Sequence, residues 1–155
     1  MATQRLTLDQ YFMRMLALVA GRSTCGRRAV GAIIVDSMGH VLAMGYNGVP
    51  SGLLHCTNYP CQGRHDTPGN TDQCQAVHAE QNALLQCHRL DLAHTIYVSC
   101  TPCFTCAKMI ANTKIERVVV GERYADDRGK RILEMLHIKV ELYPGDYKHD
   151  GQAQG

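Results

Sequence analysis

Apolar residues change their spacing along this chain, and the change divides it into predicted helices and strands. Over residues 8–19 they recur every three or four positions, and Thr7 with Gln10 forms the pattern of a capping box, so we predict a first helix there. Two runs rich in aliphatic residues follow at 30–35 and 41–46. The link between them contains Asp36-Ser37-Met38-Gly39, which favours a β-hairpin.

The second half of the chain alternates regularly between helical and strand patterns. The predicted elements are, in order, a helix at about 78–89, a strand at 94–100, a helix at about 102–112, a strand at 117–121, a helix at about 127–137 and a strand at 139–143. Such alternation predicts a three-layer α/β/α fold in which helices cover both faces of a central mixed five-stranded sheet. We find no repeat or linker and expect one domain over 1–155, with a frayed tail after residue 144.

A Cys/His-rich insertion interrupts this order at about 48–73. It is rich in Gly, Pro and Asn and has no apolar periodicity. Because a compact domain seldom carries so long a loop without a use, we expect the insertion to have a function.

Composition narrows the classes of protein that fit. A net charge of +2 on 155 residues, without a run of Lys and Arg among aromatics, argues against nucleic-acid binding. The chain has no apolar stretch of membrane-spanning length and no secretion signal, so we expect no membrane association and a cytoplasmic location. In that setting the eight cysteines favour metal binding and free thiols over a disulfide framework.

Two motifs carry candidate chemistry: an H-x-E motif that begins at His78, and a P-C-x-x-C motif whose cysteines are Cys103 and Cys106. Structural zinc sites usually have four protein ligands, whereas catalytic sites have three and leave a position for water. His78 and the two cysteines make three ligands, and Glu80 is a carboxylate that need not bind metal. The set therefore indicates a hydrolytic zinc centre.

Helix geometry supports this interpretation. Cys103 and Cys106 stand three apart and share a helical face. His78 and Glu80 stand two apart, about 200° around a helix, so we predict that His78 lies at the helix start. The positive ends of two helix dipoles then face the metal and favour thiolate and hydroxide.

Each motif alone has other interpretations. A C-x-x-C pair is also typical of redox sites and of half a structural zinc site, and a lone histidine is usually an ordinary surface or core residue. A non-enzymatic zinc module that binds a partner is a further alternative. Glu80 argues against it, because such a module needs no carboxylate beside an open coordination position.

The two motifs together resemble the signature of the zinc-dependent nucleoside and nucleobase deaminases. Three further stretches, STCGRRAVGAIIV at 23–35, GYNGVPSG at 45–52 and HAEQNAL at 78–84, resemble the deoxycytidylate (dCMP) deaminases within that superfamily. This resemblance implies hydrolysis of dCMP to dUMP and ammonia, which supplies dUMP for dTMP synthesis. It also implies a homohexamer that is activated by dCTP with Mg²⁺ and inhibited by dTTP. Deaminases of free cytidine or deoxycytidine, or of tRNA adenosine, share the zinc motifs and remain alternatives.

The superfamily pattern also implies roles for single residues. Zn²⁺ held by His78 and the two cysteines activates a water, and Glu80 moves the protons. The Ala79 amide donates to the pyrimidine carbonyl, and a strand-end backbone carbonyl near Cys100 or Thr101 accepts from the amino group. Asn47 is a candidate sugar or phosphate contact, although an Asn-Gly pair after a strand is also a common turn.

Two larger sets complete the candidate residues. The first is a possible site for the nucleoside triphosphate effector, because arginine side chains are well suited to bind phosphate. Its candidate residues are Arg27, Arg28, Asn47, Gly48 and Asn82. The second is a possible structural zinc site in and around the insertion. The alternative to this second zinc is a flexible lid with free thiols. Its six candidate ligands are Cys25, His55, Cys56, Cys61, His65 and Cys74.

Overall fold

The computed structural model describes residues 4–65 and 73–148. In these ranges the elements are α1 (Leu8–Ala20), β1 (Gly31–Val35), β2 (Val41–Tyr46), a short 3₁₀ helix (Gln62–His65), α2 (Ala79–Gln86), β3 (Thr95–Cys100), α3 (Phe104–Ala111), β4 (Arg117–Glu122), α4 (Arg128–Met135) and β5 (Lys139–Leu142). No helix in this part of the chain is both long enough and apolar enough to cross a bilayer.

The strands form one mixed sheet in the order β2-β1-β3-β4-β5. β1 is antiparallel to both β2 and β3, whereas β3, β4 and β5 run parallel. All residues of β1 and β3 are buried, as expected for central strands that are covered on both faces.

Helices cover both faces of this sheet. On one face α1 packs Phe12, Met13 and Leu16 against Ile33 and Tyr97. On the other face α2, α3 and α4 contribute to a larger apolar cluster that includes Ile34, Ile96, Val98, Ala107, Ile110 and Leu133. The predicted three-layer α/β/α class with a mixed five-stranded sheet is therefore confirmed.

The predicted ends of α2 and α3 differ from the observed ones. α2 ends at Gln86 rather than near residue 89, because Cys87 is already extended. α3 begins at Phe104, and Cys103 rather than Pro102 occupies the turn before it, with an extended backbone and a sulfur that accepts a hydrogen bond from the Cys106 amide. The thiol thus acts as the helix cap, which propensity rules for the first turn did not suggest.

The fraying predicted after residue 144 stays a prediction, and of this tail the structure describes residues 145–148. Tyr147 is only 4% exposed and packs with the α1-side cluster, its ring lying against Gly121 of β4. The remainder of the predicted tail, 149–155, lies outside the described residues.

Candidate metal and active site

Two helix starts meet beside the end of β3. His78 immediately precedes α2, Cys103 immediately precedes α3, and Cys106 lies in the first turn of α3. The His78 amide donates to Gln81 Oε1 at 2.8 Å, which fixes the entry into α2. The sequence thus places all three predicted ligands where helix dipoles favour negative charge.

Two glycines permit the close packing that holds these helix starts. At Gly45 in β2 a β-carbon would stand 2.4 Å from the Ala79 carbonyl oxygen, so α2 lies directly on the strand. At Gly129 in α4 a β-carbon would stand 2.1 Å from the Pro102 carbonyl oxygen, so α4 packs on the segment that carries Cys103. Any side chain at either position would displace a helix start that carries a ligand.

The three ligand atoms have the separation that zinc requires. His78 Nδ1 lies 3.5 Å from Cys103 Sγ and 3.4 Å from Cys106 Sγ. Zinc–nitrogen and zinc–sulfur bonds in a tetrahedron separate their ligand atoms by roughly 3.5 Å. Within the described part of the chain, no other group of three or more His, Cys, Asp or Glu residues brings its ligand atoms within 4.8 Å of one another. The donor set therefore fits a zinc ion with one position left for solvent.

Hydrogen bonds among the three candidate ligands shift their pKa values. Hydrogen bonds from Cys106 and His78 lower the pKa of Cys103 to about 4, while the hydrogen bond with Cys103 and burial raise the pKa of Cys106. The same contact with Cys103 raises the pKa of His78. Since zinc binds thiolates and neutral imidazole, metal binding here is coupled to proton release.

Glu80 lies in the first turn of α2 and is 3% exposed. Burial raises the pKa of its carboxyl group above the usual value. It interacts with Cys106 and with the charge of His78, which places it beside the metal ligands. A carboxyl group whose pKa is raised in this way is suited to accept and return a proton.

A cavity of about 400 Å³ opens over these groups. It is lined by His78, Ala79, Glu80 and Cys103 at the metal end, and elsewhere by Cys25, Arg27, Arg28, Val30, Asn47, Cys74, Ala76, Cys100, Thr101, Glu122 and Tyr124. The three candidate substrate contacts, Asn47, Ala79 and Thr101, therefore all border the cavity that contains the ligands.

Asn47 is 8% exposed, and its side chain is largely engaged within the protein. Its amide oxygen accepts from Ser23 Oγ at 2.6 Å and from the Val30 amide at 2.8 Å, and its Nδ2 donates to the Arg28 carbonyl at 2.7 Å. One N–H bond of Nδ2 has no such partner among these contacts. Asn47 thus fixes the segment before β1 and has one donor to offer a ligand.

The candidate effector residues do not come together in one cavity. Arg27 and Arg28 line the metal-site cavity with Asn47, whereas Gly48 and Asn82 line a second cavity of about 390 Å³. The residues 46–48 run between the two cavities, since Tyr46 and Gly48 border the second and Asn47 the first.

The candidate structural-zinc residues divide into cysteines and histidines. Cys56 Sγ lies 3.6 Å from Cys61 Sγ, and the Cys61 amide donates to Cys56 Sγ at 3.4 Å. Burial raises the pKa of Cys74, whose thiol also interacts with Cys61 and Cys25. His55 and His65 are exposed, and His55 lines the second cavity instead. Cys25, Cys56, Cys61 and Cys74 are called the cysteine cluster below.

The sequence assigned no role to four residues of the cavity wall, which are Val30, Ala76, Glu122 and Tyr124. The predicted strand ends at residue 121, whereas β4 extends to Glu122, and Tyr124 lies in the segment that follows. A charged residue at the carboxyl end of a parallel strand is a signal that would have found Glu122. Burial and the charge of Glu80 raise the pKa of Cys100 to about 12, so this thiol stays protonated beside the site.

Three candidate metal ligands and a buried carboxyl group in a ligand-sized cavity have the arrangement expected of a hydrolytic zinc site. The chain belongs to the family of the cytidine and deoxycytidylate deaminase zinc-binding region, which it matches over residues 6–122.

Named relatives agree with this family. The chain is 43% identical over 118 residues to the deoxycytidylate deaminase of Mycobacterium phage D29, covering 72% of this chain and 91% of the relative. It is 37% identical over 143 residues to that of Saccharomyces cerevisiae, covering 90% of this chain but 46% of the relative. The fold is similar to the dCMP deaminase of cyanophage S-TIM5 in complex with dCMP and dUMP, with a TM-score of 0.68, 27% identity, and coverage of 91% of this chain and 100% of that chain.

Proposed function

We propose that this protein hydrolyses dCMP to dUMP and ammonia. The observation that carries the proposal is the buried Glu80 beside a three-ligand zinc site, in a cavity large enough for a nucleotide. The substrate is supported by the relatives named deoxycytidylate deaminase and by the similar structure that holds dCMP and dUMP.

Proton transfer falls to Glu80 in this proposal. Zinc, when bound, acts as a Lewis acid that lowers the pKa of a water from near 16 toward about 7. Glu80 would accept one proton from the attacking water and give it to N3 of the cytosine ring. It would then take the proton of the hydroxyl group added at C4, which becomes the carbonyl of the product, and pass it to the departing amine. Its burial supports this role, because a raised pKa brings the carboxyl group closer to the operating pH.

Backbone groups near the metal orient the ring. The Ala79 amide donates to the pyrimidine carbonyl, and a carbonyl near Thr101 accepts from the amino group that leaves. Asn47 offers its remaining N–H to the sugar. All three border the metal-site cavity, which supports these assignments.

An absorbance assay with dCMP, deoxycytidine, CMP and dCTP as substrates tests the proposal. We expect rapid loss of the cytosine absorbance with dCMP and little or none with deoxycytidine. Equal rates with dCMP and deoxycytidine would instead support a free nucleoside deaminase. Turnover of none of the four, with activity on tRNA adenosine, would support the polynucleotide alternative.

We further propose regulation by nucleoside triphosphates in a homohexamer, with dCTP and Mg²⁺ activating and dTTP inhibiting. The second cavity, lined by Gly48 and Asn82, is the proposed effector site, because residues 46–48 connect it to the substrate cavity. Turnover and sedimentation measured during titration with dCTP or dTTP in Mg²⁺ test this. Unchanged kinetics with both effectors would contradict it.

We also propose a second, structural zinc in the cysteine cluster. Two thiolates on one zinc lie roughly 3.8 Å apart, and Cys56 and Cys61 are separated by 3.6 Å. Zinc would have to draw in the thiols of Cys74 and Cys25, because among the described residues the cluster does not yet bring three ligand atoms within 4.8 Å of one another. The exposed His55 and His65 are left out. Elemental analysis should give two zinc ions per chain, and a value of one would refute the structural site.

The cellular role proposed for this reaction is the supply of dUMP for dTMP synthesis in the cytoplasm. It follows from the proposed product alone, and deletion of the gene should lower cellular dUMP. Unchanged dUMP after deletion would contradict the role without affecting the enzymatic assignment.

A further inference from the structure

Three charged side chains form a cluster, two members of which lie on the wall of the metal-site cavity. Arg28 Nη2 donates to Glu122, and Lys148 Nζ donates to the other oxygen of the same carboxylate. Arg28 and Glu122 both line the cavity. The cluster has a net charge of +1, since two cations share one anion.

Each member of the cluster is held by a different part of the fold. The Arg28 carbonyl accepts from Asn47 Nδ2, which fixes the backbone before β1. Glu122 ends β4, and its carbonyl accepts from the Thr101 amide at 2.9 Å. Lys148 follows Tyr147, which is buried against Gly121. Backbone positions therefore fix the cluster while its side chains, 38–52% exposed, can exchange partners.

Arg28 is suited to a second anionic partner. A guanidinium binds phosphate through two parallel N–H bonds, and a phosphate dianion carries twice the charge of a carboxylate. If Arg28 turns to a phosphate, Glu122 keeps its contact with Lys148 and is not left unpaired. The exchange of partners therefore has a small free-energy cost, because no charged group loses all of its contacts.

We propose that Arg28 recognises the 5′-phosphate of the nucleotide by exchanging Glu122 for the phosphate, and that Lys148 holds Glu122 aside. This inference rests on the proposed dCMP deaminase function. The neighbouring Arg27 has a different contact, since its Nη1 donates to the Gly63 carbonyl of the insertion at 3.3 Å. Arg27 also lines the cavity, and the proposal assigns the selectivity for a nucleotide over a nucleoside to Arg28 because its present partner, Glu122, is an anion that a phosphate can replace.

Steady-state kinetics on dCMP and deoxycytidine test the role of Arg28, at enzyme concentrations high enough to detect slow turnover. We expect Arg28→Gln to raise KM for dCMP by about 10- to 100-fold, the loss typical of a charged hydrogen bond. The kcat for dCMP and the kcat/KM for deoxycytidine should change by less than about threefold, since neither depends on the phosphate contact. Arg28→Lys should recover part of the loss. Arg89→Gln, which removes an exposed Arg–Asp pair outside the cavity, is the matched control and should leave both substrates unaffected.

Variants of the other two residues test the exchange itself. Without Lys148, Glu122 competes more strongly for Arg28, so Lys148→Gln should raise KM for dCMP by roughly three- to tenfold. Glu122→Gln should lower that KM, and the double variant should return it to the wild-type value or below. A double variant that keeps the high KM would mean that Lys148 itself binds the phosphate and would overturn the exchange. Both side chains are partly exposed, so these variants carry the test even if Arg28→Gln fails to fold.

The outcomes separate this inference from the proposed function. If the wild-type protein deaminates neither dCMP nor deoxycytidine, the proposed function fails. If it deaminates dCMP, and Arg28→Gln changes the two substrates equally or leaves the preference for dCMP intact, the assignment of Arg28 alone is wrong.

Discussion

The metal site and the cysteine cluster both gather soft ligands, but the fold holds them in different ways. His78, Cys103 and Cys106 lie at two helix starts that pack on the sheet through Gly45 and Gly129. The cluster cysteines lie in segments that connect the helices and strands, with Cys61 immediately before the 3₁₀ helix Gln62–His65. Ligands on helix starts are positioned by the core before any metal binds. Ligands on loops depend more on the metal to hold them.

This difference predicts separate consequences for losing each set. A lesion in the metal site should abolish chemistry and leave the fold largely intact. A substitution in the cysteine cluster should lower the stability of the fold and leave much of the catalytic activity.

Cys106→Ser should have the largest effect. Without this ligand the water returns toward a pKa near 16, so we expect dCMP turnover to fall by at least about 10⁴-fold. Loss of one zinc per chain, measured by elemental analysis, should accompany it. Cys87→Ser is the control, because Cys87 is a buried thiol at the end of α2 outside the ligand set. Substantial activity in Cys106→Ser would contradict the assignment of this ligand.

Glu80→Gln should be the next most severe change. The amide keeps the size of the side chain but cannot transfer protons, so kcat should fall by about 10²- to 10⁴-fold. Zinc content should stay at the wild-type value, which separates this variant from the loss of a ligand. Near-normal turnover would refute the role of Glu80.

Cys61→Ser tests the other half of the comparison. We expect zinc per chain to fall from two to one and the thermal midpoint to fall by roughly 10 °C, because a structural zinc contributes directly to folding. Activity at low temperature should fall by less than about tenfold. Loss of all activity with an unchanged midpoint would reverse the roles assigned to the two regions.

A substitution outside both regions provides a reference for these stability effects. Arg117 joins β4 to α1 and β5 through ion pairs with Asp9 and Glu141, and Tyr97 also donates to Asp9. Arg117→Met removes the guanidinium from two partly buried carboxylates, although Glu141 keeps its pair with Lys139 and Asp9 keeps the hydrogen bond from Tyr97. We therefore expect a loss of about 1–2 kcal/mol, less than for a fully buried pair. The midpoint should fall by roughly 3–6 °C with zinc content unchanged. An altered zinc content would mean that this network also supports a metal site.

The same network gives the smallest expected effect, a dependence of stability on acid. The hydrogen bond from Arg117 lowers the pKa of Asp9 below its usual value. A lowered folded-state pKa means that the pairing stabilises the protein above about pH 4 and that this contribution is lost as pH falls through the lowered pKa. Asp9→Asn should therefore flatten the fall of the free energy of unfolding below pH 4, measured by urea titration. An equally steep fall in the variant would exclude Asp9 as its source.

The comparison also shows what sequence could and could not predict. Local spacing sufficed for the hairpin, the alternating elements and the position of His78 before α2, because these depend on nearby residues. The thiol cap formed by Cys103 escaped prediction, since cysteine is not a usual capping residue.

The other features that the sequence did not predict depend on contacts between residues far apart in the chain. The approach of Cys74 to Gly63, and the burial of Tyr147 against Gly121, join segments that no local pattern connects. The division of the effector candidates between two cavities has the same origin. Asn47 and Gly48 are neighbours in sequence, but Asn47 borders the metal-site cavity and Gly48 borders the second cavity.

X-ray diffraction of the zinc-loaded protein, with anomalous data collected at the zinc absorption edge, tests the central claim most directly. We expect an anomalous peak bonded to His78 Nδ1 and to the Sγ atoms of Cys103 and Cys106, with solvent as the fourth ligand within reach of Glu80. A fourth protein side chain on the ion, or no anomalous peak between the imidazole and the two sulfurs, would contradict the account.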